Sequence, residues 1–124
     1  MLFEPGQIVA TPGALDLASE YLVNIAELLI RHLRGDWGDI DEYDQRENAL
    51  AVFEGYRIIS AYPTMGGRLW IITEADRSVT TFCSLTSINI SLHKPIPLNG
   101  PRFHWGCLVF VLLYLLLNNG PICI

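Results

Sequence analysis

One histidine lies close in sequence to two aspartates: His32 comes four residues before Asp36, which is followed by Trp37 and Asp39. Such a pair can act as a general base with a carboxylate that orients it, and the same residue types also bind metal ions. The alternative is structural, because a histidine in the last helical turn meets the helix dipole and an aspartate favours the following turn. We favour the structural interpretation, since no nucleophile or second metal ligand has a fixed spacing to His32.

Acidic side chains are concentrated between residues 36 and 47, where only Arg46 opposes them. The candidate binding residues in this stretch are Asp36, Trp37, Asp39, Asp41, Glu42 and Asp44. A row of carboxylates can imitate DNA phosphates and occupy a DNA-binding protein. The alternative is a solvated helix whose first turns carry acids because the helix dipole favours them. The spacing does not match an EF-hand calcium loop.

Arginine and tryptophan residues surround a predicted turn at residues 74–78. The turn and its neighbouring strands contribute Glu74, Asp76, Arg77, Arg57, Arg68 and Trp70. Arginine beside tryptophan can bind a planar or anionic ligand. The alternative is a turn with cross-strand ion pairs.

Two helices are predicted before the acidic stretch. Thr11 is placed to cap a helix over residues 14–21, and Asn24 to cap another that ends at Gly35. Apolar residues recur at helical spacing in the second segment, although the two segments could also form one bent helix.

A third helix is predicted over residues 41–53, with acids in its first turns and Gly55 after its end. Its apolar face is predicted to consist of Ala49, Leu50 and Phe53.

The remaining pattern has the period of two that is typical of β-strands. We predict a short strand at residues 7–11 and an antiparallel meander over residues 56–62, 68–73 and 79–82. The predicted fold class is therefore α+β, with two or three N-terminal helices packed on the meander. Trp37 and Trp70 are expected in the core.

The sequence changes character at about Phe82. We predict an acidic domain over residues 1–82, a proline-containing linker over residues 83–102 and an apolar tail over residues 103–124. The apolar run from Phe103 to Leu117 would rise about 22 Å as a helix, which is short of the roughly 30 Å membrane core. The run can be a packed element, a contact with a second copy, a membrane anchor, or a tail without an evolved role.

Charge and cysteine content narrow the classes of function. All 13 Asp and Glu residues precede Phe82, and the same region contains six arginines, so its formal charge is −7. Lys94 and Arg102 add +2 after Phe82, which gives the net charge of −5 for the whole sequence. Such a domain is repelled by phosphates, so direct nucleic-acid binding is not expected. The three cysteines have no disulfide or zinc spacing, and no secretory signal is recognisable, so a cytoplasmic location is expected.

Four blocks of sequence, at residues 3–15, 31–39, 57–63 and 68–82, carry a family resemblance. Together they resemble small plasmid-related proteins of bacterial plasmids and integrative elements, which are sometimes loosely labelled type I restriction modification subunits. The resemblance covers residues 2–82 and implies no activity. An adenine methyltransferase would need a glycine-rich cofactor loop and an Asp/Asn-Pro-Pro-aromatic motif, and this sequence has neither.

These observations predict a non-enzymatic protein-interaction module of a mobile element, acting on a host or DNA-processing protein through its acidic surface. A first alternative is a small ligand-binding protein or hydrolase with a pocket of His32, Asp36 and Arg77. A second is a membrane accessory protein anchored by its tail. No cofactor or metal is predicted, and self-association into a homo-oligomer is a further expectation.

Overall fold

Three helices and a β-sheet form the described part of the chain, which confirms the α+β prediction. The computed structural model describes residues 1–84 and a short strand near the C-terminus. In chain order the elements are β1 (Gln7–Ala10), α1 (Pro12–Glu20), α2 (Ile25–Leu33), α3 (Glu42–Glu54), β2 (Ile58–Thr64), β3 (Gly67–Thr73), β4 (Val79–Ser84) and β5 (Ile122–Cys123).

Side-chain caps fix where the helices begin. The side-chain oxygens of Thr11, Asn24 and Asp41 each accept a backbone N–H three residues on, at 3.3, 3.2 and 2.8 Å. The first two helices are separate, and Leu22 between them has a positive φ of 53°. The single bent helix is therefore wrong, because a left-handed residue interrupts the helical hydrogen-bond series.

The strand order is β2-β3-β4-β1-β5. The predicted meander is present, since β2 pairs antiparallel with β3 and β3 with β4. The N-terminal strand β1 extends it by pairing in parallel with β4, and β5 pairs antiparallel with β1. The sequence pattern did not reveal that the first strand pairs with β4.

Two strands extend beyond their predicted ends. The strand β2 continues through Pro63 to Thr64, where a loop was predicted, because an edge strand tolerates the missing N–H of proline. The strand β4 continues two residues past Phe82 to Ser84. Apart from these last two residues and β5, the predicted linker and tail lie outside the described residues.

Apolar side chains pack on both faces of the sheet, as expected where strand residues alternate. The helices α1 and α2 cover one face. The buried residues of that cluster are Ala10, Ala14, Leu17, Leu28, Tyr62, Leu69, Ile71 and Phe82. On the opposite face Ile59, Ile72 and Cys83 form a smaller cluster.

The two tryptophans expected in the core differ in burial. Trp37 is buried against Ala51 and Ile58, in agreement with the prediction. Trp70 is only half-buried on the face opposite α1 and α2. Within the described residues, its indole Nε1 is the one buried side-chain polar atom without a hydrogen-bond partner. Trp70 therefore packs against the core without being fully buried in it, unlike the expectation from the sequence.

The prediction of which side of α3 packs against the core is wrong. Phe53 is 87% exposed and Leu50 is 48% exposed, and Ala49 also faces solvent. The buried residues of this helix are instead Asn48 and Ala51.

The reason for this orientation is a pair of hydrogen bonds from Asn48 to the outer edge of β2. Its amide nitrogen donates to the carbonyl of Ile59 at 2.6 Å, and its amide oxygen accepts the N–H of Ile59 at 3.1 Å. An edge strand has backbone groups that need partners, and buried groups left without one are costly. The asparagine therefore faces the sheet, and this rotation leaves Leu50 and Phe53 outside.

We expect Asn48→Ala to destabilise the protein by about 2–4 kcal/mol, since each buried backbone group left without a partner costs about 1–3 kcal/mol. Urea unfolding followed by tryptophan fluorescence measures the loss. Gln45→Ala is the matched control, because this exposed residue on the same helix makes one hydrogen bond, to the carbonyl of Ile40. Equal losses in the two variants would contradict the role of Asn48.

Candidate functional site

The strongest candidate base, His32, lies inside the protein. Both of its ring nitrogens contact hydroxyl groups: Nδ1 is 2.6 Å from Oγ of Ser60, and Nε2 is 2.9 Å from Oγ1 of Thr73. A serine hydroxyl beside an imidazole nitrogen has the geometry of a nucleophile and its base. Here both side chains are fully buried, so a substrate cannot reach the pair.

The hydrogen bonds of His32 belong to a longer chain whose direction can be deduced. Thr80 donates its hydroxyl to the carbonyl of Pro5 at 2.7 Å, so Thr73 must be the donor in its 2.7 Å contact with Thr80. The Thr73 oxygen then accepts from Nε2–H of His32, and Nδ1 accepts from Ser60. The histidine is therefore the neutral Nε2–H tautomer, with both nitrogens satisfied.

Burial and nearby charge keep this imidazole neutral. Desolvation is the main cause that lowers the pKa of His32 to about 3, and the positive charge of Arg77 contributes to the same shift. The rings of Phe3 and Trp37 pack edge-on against the imidazole at 5.3 and 5.8 Å. A group that is neutral and enclosed in this way links α2 to the sheet.

Asp36 does not orient His32. Its carboxylate accepts from Nε of Arg31 at 2.6 Å, and this bond is the main cause that lowers the pKa of Asp36. The backbone carbonyl of Asp36 accepts the hydroxyl of Tyr62 at 2.6 Å, and the Arg31 guanidinium lies 4.7 Å from the Tyr62 ring centre. The aspartate thus holds a surface turn, in agreement with the structural interpretation.

Arg77 caps the C-terminal end of α3. Its guanidinium donates to the carbonyls of Ala51, Tyr56 and Glu74 at 2.9, 2.8 and 3.0 Å. A cation is favourable at this end of a helix because it interacts with the negative end of the helix dipole. The Ala51 carbonyl also accepts the backbone N–H groups of Gly55 and Tyr56. Burial lowers the pKa of Arg77. Among the described residues, His32, Asp36 and Arg77 therefore each make hydrogen bonds to different structural partners.

Several residues of the acidic stretch also have local partners. Asp39 pairs with Arg68 at 2.6 Å, and Asp41 caps α3. Glu42 lies 3.4 Å from Arg46 across one helical turn. Trp37 is buried, so it presents little surface for binding. These contacts break up the continuous row of carboxylates that a phosphate mimic would present.

The turn at residues 74–78 is held by one ion pair and by a side-chain cap. Arg57 binds the carboxylate of Glu74 at 2.7 Å, and Asp76 accepts from both the backbone N–H and the hydroxyl of Ser78. The guanidinium of Arg68 lies 5.8 Å from the ring of Trp70. These contacts favour the interpretation as a structural turn, with one cross-strand ion pair between Arg57 and Glu74.

A cavity of about 190 Å³ opens where α3 meets β2. Its lining residues are Ile40, Asp44, Glu47, Asn48, Ala51, Tyr56, Arg57 and Ile59. Pockets for drug-sized ligands are usually about 300–1,000 Å³. This cavity has room for a side chain or a few water molecules.

The exposed side of α3 is the functional candidate that sequence reasoning missed. Its apolar members are Tyr43, Leu50 and Phe53, which are 68%, 48% and 87% exposed. The charged members on the same side are Arg46, Glu47 and Glu54, and we call these six residues the outer face of α3. The spacing of seven between Tyr43 and Leu50, and of ten between Tyr43 and Phe53, was visible in the sequence. Only the Asn48 contacts show that this stripe faces outward.

No protein-family model matches the sequence, and comparison with curated proteins and solved structures finds no similar chain. The resemblance to plasmid-related proteins therefore stays a prediction. None of the described helices has the length and apolar character needed to cross a membrane. The predicted anchor, residues 103–117, lies outside the described residues.

We expect the free energy of unfolding to fall by about 2 kcal/mol between pH 7 and pH 5, because His32 has a folded pKa of about 3 and an ordinary value of 6.5. Below pH 6.5 the unfolded chain binds a proton that the folded chain does not bind. The stabilisation that comes from keeping His32 neutral is therefore complete above pH 6.5. It decreases as the pH falls and is lost near pH 3. The lowered pKa of Asp36 affects stability only below about pH 3.8, the ordinary pKa of aspartate, and therefore does not contribute between pH 7 and pH 5.

Urea unfolding at a series of pH values measures this slope. In His32→Gln the amide can still accept from Ser60 and donate to Thr73, but it does not titrate. We expect this variant to be less stable at pH 7 and to show a flatter pH dependence. An unchanged slope would assign the effect to other groups.

Proposed function

We propose that this protein is a non-enzymatic interaction module that binds another protein through the outer face of α3. The observation that supports the proposal is the exposure of Tyr43, Leu50 and Phe53 along one side of a regular helix. The candidate catalytic side chains support it as well, because His32, Asp36 and Arg77 are each engaged in structural contacts.

The energetic argument rests on apolar area. Burying a leucine or phenylalanine side chain is worth about 1.5–3 kcal/mol, and aromatic residues are enriched among the strongest contributors to protein interfaces. Phe53 and Tyr43 present two aromatic rings to solvent on one helix. A partner that covers them gains this energy without a change in the fold of the sheet.

Charge favours a basic partner. The outer face carries Glu47 and Glu54, and the first 82 residues have a formal charge of −7 from 13 acids and six arginines. Opposite charges steer association and select the correct partner. In the setting of a plasmid or integrative element, which the family resemblance implies, a host or DNA-processing protein with a basic surface has the required character.

We expect a partner captured from bacterial lysate by the immobilised full chain to be at least tenfold depleted when Leu50 and Phe53 are both changed to serine. The reason is that these substitutions remove the exposed apolar contacts without touching a buried residue. Met65→Ser is the matched control, because Met65 is 91% exposed in the β2–β3 turn, outside α3. Quantitative mass spectrometry of the three eluates is the measurement.

Proteins recovered equally by all three chains are background. The proposal is wrong if no protein is depleted by the double substitution at physiological salt. It is also wrong if Met65→Ser depletes the same proteins to the same extent.

A further inference from the structure

The outer face of α3 has the spacing of a coiled-coil seam. Tyr43 and Leu50 are seven residues apart, as are Arg46 and Phe53, and the second pair follows the first by three residues. These are the a and d positions of two successive heptads, which face a partner helix. Three of the four positions carry large apolar or aromatic side chains, all exposed.

Carboxylates flank this seam. In the same register Glu47 and Glu54 occupy e positions and Glu42 occupies a g position. All three are exposed, and Arg46 is the one cation on this side of the helix, 3.4 Å from Glu42. The flanks therefore carry an excess of negative charge. In coiled coils these positions select the partner through salt bridges.

We propose that this face docks an amphipathic helix of another protein, with apolar residues along its contact stripe and lysine or arginine at its flanks. The inference rests on the proposed function and names its partner class. Basic side chains at the flanks would meet Glu47 and Glu54, while the apolar stripe covers Leu50 and Phe53.

A second copy of this chain fits the face poorly. If two α3 helices paired in either direction, the flanking carboxylates of one would meet those of the other. Like charges placed together oppose association. The charge pattern therefore favours a basic helix over self-pairing.

The length of the seam sets the expected strength. The helix α3 has 13 residues and so extends about 20 Å, which is enough for the two a and d pairs between Tyr43 and Phe53. A contact of this size should be in the micromolar range and should weaken with salt, because its charged flanks are exposed to solvent.

The test uses a 21-residue fluorescent peptide with leucine at the a and d positions and lysine at the e and g positions. A second peptide has glutamate in place of lysine. Fluorescence anisotropy with the full chain should give at least tenfold tighter binding of the lysine peptide at 50 mM salt. Changing Leu50 and Phe53 to serine should weaken that binding at least tenfold, while Met65→Ser leaves it unchanged.

Charge reversal separates a specific seam from general attraction to an acidic protein. Glu47→Lys with Glu54→Lys should reverse the preference between the two peptides. The matched control is Asp16→Lys with Glu20→Lys, which changes the net charge equally on the exposed side of α1. This control should keep the preference for the lysine peptide. Circular dichroism and urea unfolding confirm that each variant is folded.

Equal binding of the lysine peptide by the wild-type chain and the Leu50/Phe53 variant would overturn the inference, as would an equal effect of the two charge reversals. A dimer in sedimentation that the Leu50/Phe53 substitutions abolish would identify a second copy as the occupant and would also overturn it. If the lysine peptide fails but the lysate partner still depends on Leu50 and Phe53, the partner class is wrong and the proposed function stands. If no lysate protein depends on them, the proposed function itself fails.

Discussion

The buried imidazole of His32 is the contact on which the arrangement of helices and strands depends. Through Ser60 and Thr73 it ties α2 to β2 and β3, and through Thr80 the same hydrogen-bond chain reaches β4 and the carbonyl of Pro5. Buried polar groups are costly unless every member is satisfied, and here each donor has an acceptor. The network thus favours one alignment of helix, sheet and N-terminal segment over others of similar apolar packing.

The outer edge of β2 imposes the second constraint. Asn48 satisfies the backbone of Ile59, and the loop after α2 satisfies Ala61, whose N–H donates to Trp37 and whose carbonyl accepts from Asp39. Covering an edge strand in this way prevents it from pairing with another chain. The consequence for α3 is that a polar residue faces the sheet and an apolar stripe faces solvent. The same contacts that protect the sheet therefore create the surface that we propose for binding.

Charge is distributed unevenly among the acidic residues. Asp36 and Asp39 are matched by Arg31 and Arg68, both at 2.6 Å, so the loop before α3 presents little net charge. Exposed pairs of this kind add at most about 1 kcal/mol each to stability, but they do orient the loop side chains. On the outer face of α3, Glu47 and Glu54 are exposed beside apolar residues. Recognition through that helix is therefore better supported than a phosphate mimic that spans the whole acidic stretch.

The sequence alone determined the local features of this protein. Thr11 and Asn24 were placed correctly as caps, and the period of two revealed the β2–β3–β4 meander, because both signals depend on residues close together in the chain. Only the tertiary structure decided that β1 pairs in parallel with β4 and that His32 is enclosed by Ser60 and Thr73. These contacts join segments that are far apart in the chain, such as Gln7 with Val79 and His32 with Thr73, and a local sequence pattern carries no information about them. The orientation of α3 was decided in the same way: its apolar pattern predicted an inward stripe, and the hydrogen bonds of one asparagine to an edge strand turned that stripe to solvent.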